Sequence, residues 1–244
     1  MKLTTIFGFI FGLTIIGLTI FYQQGTEYFL SWSALGITFG GTISAVIIYF
    51  SPWALKSSIS AFFKIFTEKY YSKKKMIDIM VAVCREARIA GFSNLQNLHS
   101  VQKIKFLKKG LRFLADGMEP EQLSAILTRE KQMIFGKNRV AERVFKIAGS
   151  FAPMFGMMGT VIGLISMLHK VNDPSSIPAA MGLALVTTFY GLILSALIFK
   201  PISGKIRDKN QLDNQVKDMI IDAILAIQRG ENSQIIKENL QSYL

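Results

Sequence analysis

The chain of 244 residues has one cysteine, Cys84, and two histidines, His99 and His169. A single thiol excludes an intramolecular disulfide framework, and so few soft ligands exclude a zinc site of Cys/His spacing. No His-Glu-x-x-His or Gly-x-Ser-x-Gly run is present, which removes two common hydrolase chemistries. The most informative absence is that of charge. Over about 4–22, 28–50, 147–168 and 177–199 there is no Asp, Glu, Lys, Arg or His. Pumps, transporters and self-contained channels place ionisable groups inside the membrane. A chain without them is either a structural subunit or depends on a partner helix to bring the charge.

What is present in those stretches is apolar, and each is close to the ~20 residues that cross a bilayer as helix. The first is too long for a signal-peptide core and has no small-residue cleavage site before Tyr28. Connections at about 23–27 and 170–176 are short, the second with Asp173-Pro174 as a turn signal. Short connections make antiparallel hairpins. The expected fold is therefore all-α and polytopic, with four transmembrane helices in two hairpins and a helical cytoplasmic domain. Its parts are a first hairpin at 1–50, a cytoplasmic segment at 51–146, a second hairpin at 147–199 and a helical tail at 200–244.

Basic residues orient it. The formal charge is +12, and of the 28 Lys and Arg, 19 fall in 51–146 and 7 from Lys200 onwards. The positive-inside rule then puts both termini and the large segment in the cytoplasm. The run Lys73-Lys74-Lys75 suits an anionic lipid surface, and nucleic acid is not an expected partner. Helical periodicity continues through the segment in Met76, Ile79, Met80 and Val83, and again in Phe106, Leu107, Leu111 and Leu114. Gly117 breaks it, Pro120 starts a new helix, and the tail repeats the pattern from Leu212 to about Gly230.

The third and fourth stretches carry small residues and hydroxyls. Gly156, Gly159 and Gly163 lie near one face of the third, where another helix can approach closely. Pro153 frees a carbonyl at membrane depth, and Thr160 lies within the glycine face. The fourth stretch holds Thr187-Thr188-Phe-Tyr190-Gly191. Threonine oxygens can ligate Na⁺ or hold water for a proton, or simply back-bond to their own helix.

At these residues the chain resembles the MotA/PomA family of flagellar motor stator subunits, within the MotA/TolQ/ExbB superfamily. The similar motifs are Ala-Pro-Met-Phe-Gly-Met-Met-Gly-Thr-Val-Ile-Gly-Leu at 152–164, Thr-Thr-Phe-Tyr-Gly at 187–191 and Pro201 after the fourth stretch. The resemblance covers essentially the whole chain. It implies an ion-conducting subunit of the bacterial inner membrane, not an enzyme, with no cofactor or bound metal. It also implies a ring of five copies around a single-span, peptidoglycan-anchored MotB/PomB-type partner whose helix carries the ion-binding Asp. Ion flow is then expected to put torque on the rotor protein FliG. On the family pattern Thr160, Thr187 and Thr188 line the ion path, and Pro153 and Pro201 serve torque. The glycines Gly156, Gly159, Gly163 and Gly191, with Tyr190, are expected to pack on the partner helix. Thr187 stands where sodium-driven members often have Thr, so Na⁺ is favoured over H⁺.

One region departs from the family. In Glu86-Ala-Arg-Ile-Ala-Gly-Phe-Ser-Asn-Leu-Gln-Asn, residues 86–97, Arg88, Gly91, Phe92 and Leu95 match the rotor-facing helix. Ile89 stands where a basic residue is common, and Gln96 and Asn97 where acids are common. Arg85, Glu86 and Arg88 are the expected rotor contacts, and the departure leaves open a related ring, of ExbB/TolQ or gliding type, driving another load.

Overall fold

The computed structural model describes residues 2–22, 29–67, 72–93, 95–169, 172, 175 and 177–244. Among them every regular element is helical, in keeping with the all-α reading. The helices are α1 (Lys2–Tyr22), α2 (Trp32–Tyr49), α3 (Pro52–Thr67), α4 (Lys73–Ala90), α5 (His99–Gln102), α6 (Lys105–Ala115), α7 (Pro120–His169), α8 (Ile177–Gln228) and α9 (Ser233–Gln241). Tyr28 and the expected turns at 23–27 and 170–176 lie outside the described residues, apart from 172 and 175. Helices α2, α7 and α8 are long and apolar enough to cross a membrane, and α1 is apolar over Phe7–Tyr22.

The two longest helices, of 50 and 52 residues, run unbroken through 146/147 and 199/200, where composition changes from polar to apolar. Composition decides which solvent a helix faces; it does not end one. Ends need a cap or a breaker, and here those stand elsewhere. Pro120 opens α7 at the first helical position, where its missing N–H costs nothing. After α8, Gly230 takes a φ of 76°, a conformation a Cβ would strain. Its N–H donates to Ile227 O at 3.0 Å and that of Glu231 to Ala226 O at 3.0 Å, the paired bonds of a Schellman cap. Gly117 closes α6 in the same way.

The chain forms two compact units, 1–67 with 138–207 and 68–137 with 208–244. Helix α3, expected with the cytoplasmic segment, belongs to the first unit. In that unit many large apolar side chains stand exposed, Phe9, Ile47, Met157 and Leu185 among them. In water so much exposed apolar surface would be a liability; in lipid it is the contact surface. What is buried is mostly small, Ala34, Thr38, Thr42, Ala152, Ala180, Ala184 and Ser195 among it. That is how helices associate where tails are as apolar as leucine.

The second unit is built the opposite way. Met76, Met80, Leu95, Leu107, Leu111, Leu123, Leu127, Ile224, Ile236 and Leu240 are fully buried in one cluster drawn from α4, the short 3-10 turn Leu95–Asn97, α6, α7, α8 and α9. Each such side chain contributes about 1.5–3 kcal/mol relative to exposure. Gly110 of α6 leaves room that Ile224 and Leu127 fill. Around the core, Lys131 pairs with Asp218 at 2.5 Å and Lys109 with Glu130 at 2.6 Å. Tyr243 donates to the carboxylate of Asp222, and Lys73 donates to the carbonyl of Tyr243. The bond to Asp222, with burial, pushes the Tyr243 phenol up to about 12. Cys84 is buried, and burial pushes its thiol up, so it packs as a small apolar residue rather than reacting.

Candidate functional site

The first unit contains a seam where the apolar part of α7 meets that of α8. It is built from glycines on both sides. A Cβ on Gly156 would lie 3.0 Å from Thr187 O, and one on Gly159 would lie 2.5 Å from the Thr187 side chain. One on Gly163 would lie 2.8 Å from Ala180 O, and one on Gly191 would lie 2.6 Å from Ala152 O. The backbones touch. The expectation of a partner helix against Gly156, Gly159, Gly163 and Gly191 is therefore corrected: those faces are taken by the chain's own helices. Glycines at steps of three and four announce a close crossing, and the sequence does not say with which helix.

Tyr190 is likewise used within the chain. Its hydroxyl donates to Phe29 O at 2.5 Å and accepts from the Ser31 N–H at 3.3 Å. It ties α8 to the start of α2, where Ser31 caps the helix by accepting from Ala34 N–H.

The three threonines separate. Thr187 is fully buried in the seam and donates to Ala184 O at 2.8 Å. Thr160 is half-buried and donates to Met157 O at 2.6 Å. Thr188, also half-buried, has its hydroxyl 3.5 Å from Gly156 O across the seam and 3.4 Å from Ala184 O on its own helix. Both distances are long for a hydroxyl donor. Thr188 is the least committed of the three and the freest to turn to an ion or water. Each hydroxyl oxygen keeps lone pairs whatever its proton does.

The prolines act on the backbone. Pro153 lies inside α7 beside the crossing, and its Cα would be 3.2 Å from a Cβ on Gly191. Pro201 lies just beyond a π-helical run, Leu194–Phe199, inside α8. Proline gives no N–H to the carbonyl four residues back and crowds it. The wider π turn accommodates this, and the Lys200 N–H bonds to Ser195 O, a spacing of five. The Ser195 hydroxyl, buried, crosses to Gly149 O at 2.6 Å. Helix α2 has its own π run, Gly36–Gly40, with Thr38 and Thr42 fully buried beside it. Sequence reasoning missed Thr38, Thr42 and Ser195. The signal was available, as hydroxyls at helical spacing among Gly36, Gly40 and Gly41, the last of which lies under the Phe155 ring.

In the second unit Arg85 is exposed and Glu86 half-buried on α4. Arg88 is exposed but engaged: Nη2 donates to Gly230 O at 3.1 Å, at the cap of α8. Ile89 beside it is 82% exposed. The three expected rotor residues share a helix, and one of them also serves the fold.

Comparisons with known proteins follow this layout. The family model described as MotA/TolQ/ExbB proton channel family matches residues 99–219. YtxD of Bacillus subtilis is 33% identical over 240 residues, 97% of this chain and 87% of its own. Motility protein A of Borreliella burgdorferi is 32% identical over 245 residues, covering 100% of this chain and 94% of its own. This chain belongs to the MotA/TolQ/ExbB proton channel family. The solved flagellar MotAB stator complex from Bacillus subtilis contains a chain that superposes with a TM-score of 0.88 at 25% identity, covering 98% of this chain and 94% of its own. Membership makes the chain a multi-pass subunit of an inner-membrane ion channel, not an enzyme.

Proposed function

We propose that this chain is the ion-path subunit of a flagellar motor stator, coupling the flow of Na⁺ or H⁺ to torque on the rotor. The observation that carries the reading is the uncharged seam. The apolar stretches of the membrane helices offer threonine hydroxyls and closely packed backbone but no Asp, Glu, Lys, Arg or His. The carboxylate must come from a second chain, a MotB-type single-span helix, around which copies of this one assemble as a ring of five. Thr188, with its long hydroxyl contacts, and the half-buried Thr160 are the oxygens an ion would meet. Thr187 holds the seam, which makes it a poorer ligand than its position in the family pattern suggests. Sodium remains favoured, since two hydroxyl oxygens can replace part of its hydration shell.

In this reading all four apolar helices span the membrane with both termini in the cytoplasm, following the distribution of Lys and Arg. The second unit faces the rotor, with Arg85 and Glu86 as contacts. Arg88 donates one N–H to Gly230 O and keeps four others for a rotor contact. A second reading, the same ring driving another load, is favoured by exposed Ile89 in place of a charge, since rim charges mainly steer docking.

The deciding experiment restores this chain and its single-span partner to a stator-deleted strain of the native host, and records swimming speed as K⁺ replaces Na⁺ at fixed pH. Speed that falls with Na⁺ supports a sodium stator, and speed that does not change makes the ion a proton. Failure to swim with both proteins in the membrane would sink the flagellar reading in favour of the other load.

A further inference from the structure

The second unit carries opposite charges on opposite sides. Helix α6 buries Phe106, Leu107, Leu111 and Leu114 and turns Lys105, Lys108, Lys109 and Arg112 outward. Steps of three and four set these four cations on one helical face. Residues 103–112 hold five Lys and Arg and no Asp or Glu, so no acid interrupts that face. Lys109 is paired with Glu130, and Arg112 lies 3.8 Å from Asp116. Among the described residues Lys105 and Lys108 form no ion pair.

The acids gather elsewhere. In a chain of charge +12, residues 208–244 hold six Asp and Glu against four Lys and Arg, a local excess of the opposite sign. Between α8 and α9 lies a groove of about 500 Å³. Buried Ala226 and Ile236 form its floor, and exposed Asp222 and Glu238 stand at its rim. Both carboxylates accept hydrogen bonds, Asp222 from the Tyr243 hydroxyl and Glu238 from Gln234 Nε2 at 3.1 Å. Among the described residues neither forms an ion pair. Nearby cations are engaged: Arg229, which also lines the groove, pairs with Glu231 at 2.8 Å, and Lys73 donates to the carbonyl of Tyr243.

The two features face away from each other. The Ile224 side chain of α8 lies over Gly110 of α6. At about 100° per residue, Asp222 and Ala226 stand roughly 160° to either side of Ile224, so the groove opens on the far side of α8. Complementary faces on opposite sides join copies head to tail, and such contacts close into a ring where the rotation permits. We propose that neighbouring copies dock through these faces, the cationic face of α6 on one copy entering the groove between α8 and α9 on the next. Lys105 and Lys108 lay their stems on the apolar floor and their ammonium groups against Asp222 and Glu238. Charge pairing of this kind fixes register and partner more than it adds affinity, which suits a ring whose spans already associate in the membrane. A second copy fits better than an acidic surface of another protein, because it neutralises the groove as well as the helix. The inference rests on the ring of the proposed function.

The test uses the full chain with its partner in membranes of the native host. Cys84 is the single cysteine, so Cys84→Ala gives a background without thiols. In it, Lys108→Cys with Glu238→Cys, treated with a short bismaleimide, should give dimers and a ladder of higher oligomers. Either substitution alone should leave monomers, because the two faces differ. Two singly substituted chains with different tags, expressed together, should cross-link to each other as dimers only, which excludes a bridge within one chain. Adding Lys105→Glu to the pair should slow cross-linking by about tenfold, and adding Asp222→Lys as well should restore it. An unchanged rate with Lys105→Glu would refute the charge pairing. A purified complex of ring size by light scattering that gives no product from the pair would overturn the proposal and leave the stator reading standing. Capture of a different protein through Lys108→Cys would overturn it equally. A complex with a single copy of this chain would overturn the ring, and the proposal with it. Failure of the swimming test leaves the cross-link unaffected.

Discussion

Replacing Gly191 by alanine tests the seam most directly. The added Cβ would lie 2.6 Å from Ala152 O and 3.2 Å from the Cα atoms of Gly156 and Pro153. All three are backbone atoms of the facing helix, so no side chain can swing aside. The helices must part by about half an ångström or more, and a gap of that size forfeits roughly a quarter to a half of each contact's dispersion well along the seam. Overpacking of this kind costs about 1–3 kcal/mol, with the upper part of the range expected where the obstacle is backbone. Alanine also gains about 1 kcal/mol over glycine in helix propensity, which masks part of the cost.

A control removes the mask. Gly182 lies in the same helix, and a Cβ there would meet nothing within 4 Å. Gly182→Ala therefore collects the propensity gain without the clash, and the difference between the two variants isolates the crossing at about 2–3 kcal/mol. At ~2–4 °C per kcal/mol for a chain of this size, Gly191→Ala should melt roughly 4–12 °C below Gly182→Ala. The assay is detergent-solubilised chain heated in steps and read by size-exclusion fluorescence. Equal melting temperatures would refute the close crossing of α7 and α8, and with it the intrachain assignment of the glycine faces.

Thr188→Ala should leave the complex assembled and slow ion-driven swimming by tenfold or more, because a hydrogen bond to a charged group is worth about 1.5–3 kcal/mol; wild-type speed would remove Thr188 from the ion path. Ile224→Ala in the second unit should lower stability by about 2–5 kcal/mol, since Ile224 is fully buried against Gly110 and Leu127, with denaturant melts of the whole chain as the measure. Tyr243→Phe should abolish an alkaline transition. The Tyr243 phenol is raised to about 12 by its bond to Asp222, so the stability it lends is complete below about pH 10 and lost as pH rises through about 12. Loss of protection from C-terminal proteolysis over that window in wild type, absent in the phenylalanine variant, is the expected result.

The helices and their apolar faces were legible in sequence because they depend on local properties. Met76, Met80 and Val83 repeat at helical steps and are buried, and Pro120 and Gly230 punctuate as their backbone chemistry requires. Unit boundaries were harder to read. Charge begins at Lys146 and Lys200, yet α7 and α8 continue through both positions, because a basic residue is as good a helix former as an apolar one. The site was half legible for a similar reason. Gly159 and Thr187 each advertise closeness or polarity, but 28 residues of sequence cannot say that the one is seated on the other. Pairing is a property of the crossing, and the crossing is set by small residues on both helices at once. The π turn before Pro201 illustrates the same limit. Proline announces a fault in the ladder, but whether it becomes a kink or a widened turn depends on Ser195, whose side chain bonds to Gly149 on α7 and whose carbonyl takes the Lys200 N–H. The functional consequence follows from that dependence. If ion binding at Thr188 shifts α8 against α7, the Ser195 bond is, after the long contact of Thr188 itself to Gly156 O, the next polar link across the seam that must stretch or break, which makes Ser195→Ala a variant expected to assemble normally, lose about 1 kcal/mol of stability and change the ion concentration at which swimming reaches half its maximum. An unaltered half-maximal concentration would confine Ser195 to holding the fold.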